Sequence, residues 1–308
     1  MPSRLKLEKT EPKCRRPSRR VEEEASPKET WASPSRIPPA SGLPANGTVR
    51  EKTGAKGHGK LKAALKQTSP GKLVRTKAYT AFRAIDKKSR RPVGPKLQGV
   101  ARLLSEKIWS SGRMPASAHG SDFRGSHWKG EKGGLNRGKA VDAQVSRLVN
   151  AGSWRKAKLL RMSRFVFSAL DQHGIDPISA QRVVLDASKR LATAADIVGL
   201  RGNDLVLVEL KTGCSGDKLQ PALKGNTKCY MASPCSQAYD TVLHRHLAQL
   251  SATLALFTSE TTTLNHLKSI GIGSVQAALL YVSENGSELH ALDPWWIKRG
   301  KKLLDAIA

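Results

Sequence analysis

From Gly133 onward the apolar positions fall into a readable order of elements. In GGLNRGKAVDAQVSRLVNAG, Val141, Val145, Leu148 and Val149 recur at helical spacing before a glycine stop. A second helix is predicted over 155–173, where Leu159, Leu160, Phe165, Val166 and Leu170 precede Gly174. The pattern then shortens to strands: SAQRVVLD, ATAADIVGL and LVLVEL, with Gly202-Asn203 between the last two. A long helix over 237–256 carries Leu243, Leu247, Leu250 and Leu254 on one face. The strand AALLYVS, a turn at 284–287, the short strand ELHAL and an amphipathic helix from Trp295 complete the chain. The expectation is a mixed α/β domain over 131–308, with a largely antiparallel central sheet flanked by helices.

Residues 1–130 read differently. They are rich in Pro, Ser and Gly, as in ASPSRIPPASGLPANG, and poor in aromatic residues. Such a segment buries too little apolar surface to offset its chain entropy, so a long, largely disordered arm is expected. Short helices at 57–69 and 96–110 are the exceptions, with docking on the folded domain left open. Charge sharpens the division. Of the net charge of +28, residues 1–150 hold +22 and the remainder +6. One-signed charge at this density suits a polyanion, so the arm is expected to hold nucleic acid. Alternatively it keeps the protein soluble, or Lys87-Lys88-Ser89-Arg90-Arg91 acts as a nuclear import signal.

No apolar run is long enough for a membrane span, and the first twenty residues lack the apolar core of a signal peptide. The four cysteines, Cys14, Cys214, Cys229 and Cys235, form no C-x-x-C pair, so reduced thiols are expected. A zinc site from Cys229, Cys235 and His244 or His246 is a weaker alternative. These features suggest an intracellular protein, nuclear in a eukaryotic host, with no small-molecule cofactor and with oligomerisation open.

One stretch does not fit a purely structural sheet. Glu209 interrupts the apolar strand LVLVEL, Lys211 follows two residues later, and Asp196 interrupts the strand before it. A two-residue turn at Gly202-Asn203 puts Asp196 directly opposite Glu209 on one sheet face, with Lys211 on that face too. Two carboxylates at that separation repel unless a divalent cation lies between them. The charges are either a structural ion pair or a metal site.

Asp196 followed by Glu209-Leu210-Lys211 resembles the PD-(D/E)xK nuclease motif, with Ala195 in place of proline. The apolar strands on both sides, the ELKTG ending and Gln249 in HLAQLSATLALF resemble the RecB and lambda-exonuclease branch, which includes exonucleases of large DNA viruses. Thr253 stands where that branch usually has an aromatic residue, and Gln181 where relatives often place Glu. RGKAVDAQV resembles the branch's first motif, with Asp142 in the acidic place. The resemblance covers about residues 133–308 and implies a restriction-endonuclease-like core.

It also implies that Asp196, Glu209 and the Leu210 carbonyl hold Mg²⁺ or Mn²⁺, hard cations suited to oxygen ligands. Asp142 would bind a second metal or its waters, Lys211 would orient the attacking water, and Gln249 would position Lys211 or the substrate. Lys218, Lys224 and Lys228 lie in the long loop after the E-x-K strand and are candidate DNA contacts. The expected activity is that of a metal-dependent deoxyribonuclease, most readily an exonuclease in DNA recombination, repair or replication. The alternatives are a structure-selective endonuclease and a non-catalytic nucleic-acid-binding protein with a decayed site.

Overall fold

The computed structural model describes residues 54–68, 70–75, 80–86, 88–89, 91–110, 133–213, 219–224 and 226–308. The rest of the expected basic arm and Lys218 lie outside the described residues.

At the centre stands an antiparallel meander of β4 (Asp176–Asp186), β5 (Leu191–Arg201) and β6 (Asp204–Thr212). Gly202 makes the tight turn between β5 and β6 with a φ of 61°, a left-handed conformation that glycine adopts without steric penalty. The register pairs Ile197 with Val208 and Arg201 with Asp204, as that two-residue turn implies. β9 (Ser274–Ser283) lies parallel to β6 and continues into its hairpin partner β10 (Gly286–Ala291). β6 is buried from Leu205 to Leu210 and apolar there except at Glu209, the pattern of a central strand.

The sheet does not stop at β5. β3 (Pro92–Gly99) meets the start of β5 in parallel through Gln98–Leu191 and Gly99–Ala192, and β2 (Thr80–Ile85) and β1 (Gly71–Arg75) extend it antiparallel. The result is an eight-stranded, mostly antiparallel open sheet. Helices cover both faces. On one, α3 (Gly133–Ala151) and α4 (Arg161–Gln172) bury Val145, Val149, Val166 and Phe167 against Ile197, Val206 and Val208. On the other, α1 (Gly54–Thr68), α2 (Val100–Lys107), α5 (Val242–Ser259) and α7 (Pro294–Ile307) share a core with Ala195, Val198, Leu205 and Leu207.

The structure corrects several boundaries. The folded core begins upstream of residue 131: Leu61, Leu65, Val100, Leu104 and Ile108, placed in the arm by composition, are buried in the same core as α5. Composition averages over a window, whereas α1 and α2 each need only one narrow apolar face to dock. Residues 92–99 form a strand, so the helix expected over 96–110 starts at Val100. The helix expected over 155–173 is a single 3₁₀ turn, Trp154–Lys156, followed by α4. Between them, Gln144 accepts from Leu160 N and donates to the Lys158 carbonyl, satisfying backbone groups a helix would have paired internally. α5 starts at Val242 and not at 237, because Thr241 caps it by accepting from His244 N at 3.0 Å. A further helix, α6 (Thr261–Ser269), follows it directly. Two two-residue strands, β7 (Leu223–Lys224) and β8 (Thr227–Lys228), pair in the loop after β6. Among the described residues no helix is long and apolar enough to cross a membrane.

Candidate active site

The alternation of the strands sends Glu209 and Lys211 of β6 to the α5 face, with Leu205 and Leu207. Lys211 Nζ donates to Glu209 Oε1 at 2.6 Å and to Gln249 Oε1 at 3.2 Å. Gln249, on α5, returns a bond from Nε2 to the same Glu209 oxygen at 2.6 Å. Glu209 is 2% exposed, and its second oxygen, Oε2, has no hydrogen-bond partner. An ionised oxygen left bare in a protein interior costs several kcal/mol.

Asp196 lies where β5 and β6 part. The β5–β6 ladder ends at Ile197–Val208, and β3 pairs with β5 only as far as Ala192. In that gap Asp196 Oδ2 accepts the backbone N–H of Leu210 at 2.9 Å. Burial, and next the Glu209 charge, hold the Asp196 carboxyl well above the usual carboxylate range; Lys211 and the Leu210 N–H pull it down. A cation between the two acids would outweigh both raising effects by stabilising the ionised forms.

The acidic cluster continues through Gln181. Its Nε2 donates to Asp142 Oδ1 at 2.9 Å and to Asp196 Oδ1 at 3.2 Å. The backbone is bent to allow it. Gln181 has a φ of 56°, in the left-handed region, at a cost of order 1–3 kcal/mol for a non-glycine residue. Ala180 and Ile197 face the α3–α4 layer, while Ala195 belongs to the opposite core and Arg182 packs over Phe257 there. A regular strand would keep residues 180 and 182 on one face. Both strands therefore change phase together at Gln181 and Asp196, a bulge-like break of the kind that re-aims a side chain. Asp142 reaches this point because Gly138, one turn earlier on α3, packs against Thr212 at the end of β6. A Cβ at Gly138 would lie 2.7 Å from the threonine hydroxyl. Asp142 Oδ1 also accepts from Ser146 Oγ at 3.3 Å.

The structure thus brings together Asp142, Asp196, Glu209, Leu210, Lys211 and Gln249, and adds Gln181. The last was noted in the sequence only as standing where relatives of the resembled branch often place Glu, with no role assigned. Tyr281 is also on the Lys211 face, as its partner in the β6–β9 register; its hydroxyl meets His246 Nδ1 at 2.8 Å. Nothing in the sequence pattern singled it out. Thr253, where an aromatic residue was expected, bonds back to the Gln249 carbonyl at 2.9 Å. Of the loop lysines, Lys224 lies in β7, and Lys228 in β8 is exposed with its ammonium 5.7 Å from the Tyr239 ring centre.

The weaker zinc alternative finds no arrangement. Cys229 and Cys235 are buried free thiols, and His244 and His246 bond to the Tyr239 carbonyl and the Tyr281 hydroxyl. Among the described residues no three His, Cys, Asp or Glu side chains converge as a metal cage. A cation on Asp196 and Glu209 would complete its shell with backbone oxygen, water or a substrate phosphate, which is how Mg²⁺ is commonly held. The bare Glu209 oxygen and the all-oxygen donor set fit such an ion. No protein-family model matches the chain, and no curated protein matches it significantly.

Proposed function

We propose that the chain is a metal-dependent deoxyribonuclease of restriction-endonuclease-like architecture, acting most naturally as an exonuclease. The observation that carries this reading is the buried, unpartnered Glu209 Oε2 beside Asp196, where two carboxylates, Asp196 and Glu209, share the single Lys211 ammonium. A bare oxygen alone does not mark such a site, since Glu260 Oε1 is equally unpartnered beside Arg182; two acids sharing one ammonium is what a simple ion pair would not leave.

Asp196, Glu209 and the Leu210 carbonyl would hold Mg²⁺ or Mn²⁺. The ion would neutralise charge at the scissile phosphate and make a bound water more acidic. Lys211, held between Glu209 and Gln249, places a fixed positive charge where negative charge grows during phosphodiester hydrolysis. Gln249 orients that lysine by accepting from it and donating to its partner carboxylate. The net charge of +28 supplies attraction for a polyanionic substrate.

The test is digestion of linear and covalently closed circular duplex DNA by the full-length protein, with Mg²⁺ and with a chelator. Loss of linear DNA alone, only with the metal, is expected. Nicking or linearisation of the circle would replace the exonuclease by an endonuclease on the same site. Binding without metal-dependent cleavage of either substrate would make the protein a non-catalytic binder.

A further inference from the structure

Gln181 occupies the space in which a second cation would bridge Asp142 and Asp196. With both carboxylates ionised, as a bound cation would leave them, they can only accept, so the amide nitrogen and not its oxygen faces them. The –NH₂ group has two hydrogens, one for each carboxylate. It has no metal-ligating capacity while it donates them. A Mg²⁺ ion bound by the same two oxygens would need each at about 2.1 Å, drawing them to within roughly 4 Å of one another. Contacts of 2.9 and 3.2 Å to a shared nitrogen hold them in an arrangement suited to the amide instead.

The backbone shows that this placement is specific to the site. The left-handed φ at Gln181 and the shared phase change of β4 and β5 are what turn this side chain into the gap beside Asp196. The demand for positive charge lies on the other side of Asp196, at the bare Glu209 oxygen.

We propose that Gln181 is a positioning residue whose carboxamide ties Asp142 to Asp196 and limits the site to a single divalent cation, held on the Asp196–Glu209 side. The proposal rests on the reading of the site as metal-dependent. Asp142 then acts through Gln181 and Asp196, and does not ligate the ion.

The experiment counts Mn²⁺ bound to the full-length protein without DNA, from the loss of the free-ion electron paramagnetic resonance signal. The wild type should bind one ion, and Asp142→Asn should still bind one. Gln181→Glu, which adds oxygen donors and a charge between Asp142 and Asp196, should bind two. Glu209→Gln should bind none. Two ions on the wild type, or one on folded Gln181→Glu, overturns the assignment to Gln181 while leaving the metal reading standing. Unchanged binding in Glu209→Gln overturns the metal reading, and this proposal with it. Should Gln181→Glu fail to fold, the wild-type and Asp142→Asn counts decide the matter.

Discussion

Gln181 and Arg182 are neighbours on β4, yet they serve two buried charge clusters built on opposite principles. Arg182 points into the core of the α1 layer, where Nη2 meets Glu260 Oε2 at 2.9 Å and Thr263 Oγ1 at 3.2 Å, and Nη1 bonds the Leu65 carbonyl at the end of α1. One cation faces one anion, and the pair locks α1, β4 and α6 together. The Asp240–Arg245 pair repeats the principle, two-pronged at 2.5 and 2.8 Å. Gln181 points the other way, to Asp196, which shares the single Lys211 ammonium with Glu209. A structural site balances its charge internally. A site with charge left over is neutralised by a proton, as the raised Asp196 carboxyl shows, or by a cation that binds.

The largest break in that comparison is Glu209→Gln. Cleavage should fall by at least roughly 10²–10³-fold, the scale of removing one preorganised electrostatic interaction, while DNA binding stays near the wild-type level. Metal-free stability should change little, since the change removes one of two acids that share the Lys211 ammonium and leaves that cation the Asp196 carboxyl. Undiminished cleavage by pure variant protein would take Glu209 out of the mechanism.

Arg182→Met should do the reverse. It leaves Glu260 buried without its cation and should lower stability by about 3–5 kcal/mol in a denaturant titration. Adding Glu260→Leu should recover much of that loss. If the single variant unfolds like the wild type, the pair is not the lock described above.

A finer contrast is pH dependence. Because the folded-state pKa of Asp196 is raised, the folded chain keeps a proton that the unfolded chain has released. Metal-free stability should therefore be full below the ordinary carboxylate range. It should then fall as pH rises toward the raised value, by up to about 1.4 kcal/mol per pH unit for one proton. Asp196→Asn should flatten that slope, and so should saturating Mg²⁺. Identical pH profiles for wild type and Asp196→Asn would deny that this carboxyl is perturbed.

The smallest effect concerns the basic N-terminal residues. Removing residues 1–53 spares every buried residue of α1 and should leave unfolding unchanged. DNA affinity should weaken, with the log–log salt slope shrinking by about 0.9 for each duplex phosphate that the shortened chain no longer neutralises. An unchanged slope would leave that segment no part in holding DNA. Removing residues 1–130 is a different experiment, because it also deletes Leu61, Leu65, Leu104 and Ile108 from the core.

The sequence by itself determined the central meander and the pairing across Gly202-Asn203, because alternation and turn chemistry are local. From that register, Glu209 and Lys211 could be placed on one face and Asp196 expected opposite Glu209, although the ladder ends one pair short at Ile197–Val208; Gln249 came from the resemblance to the nuclease branch. Tertiary structure decided what local pattern does not encode. The docking of α1 and α2 on the sheet depends on a surface made by strands more than 80 residues away. Gln181 and Arg182 look equivalent in a strand of alternating character. Only the phase change shared by β4 and β5 sends one to the acidic cluster and the other to Glu260. That change takes two strands at once, bent against helices on both faces, so no single segment of the chain carries its signature.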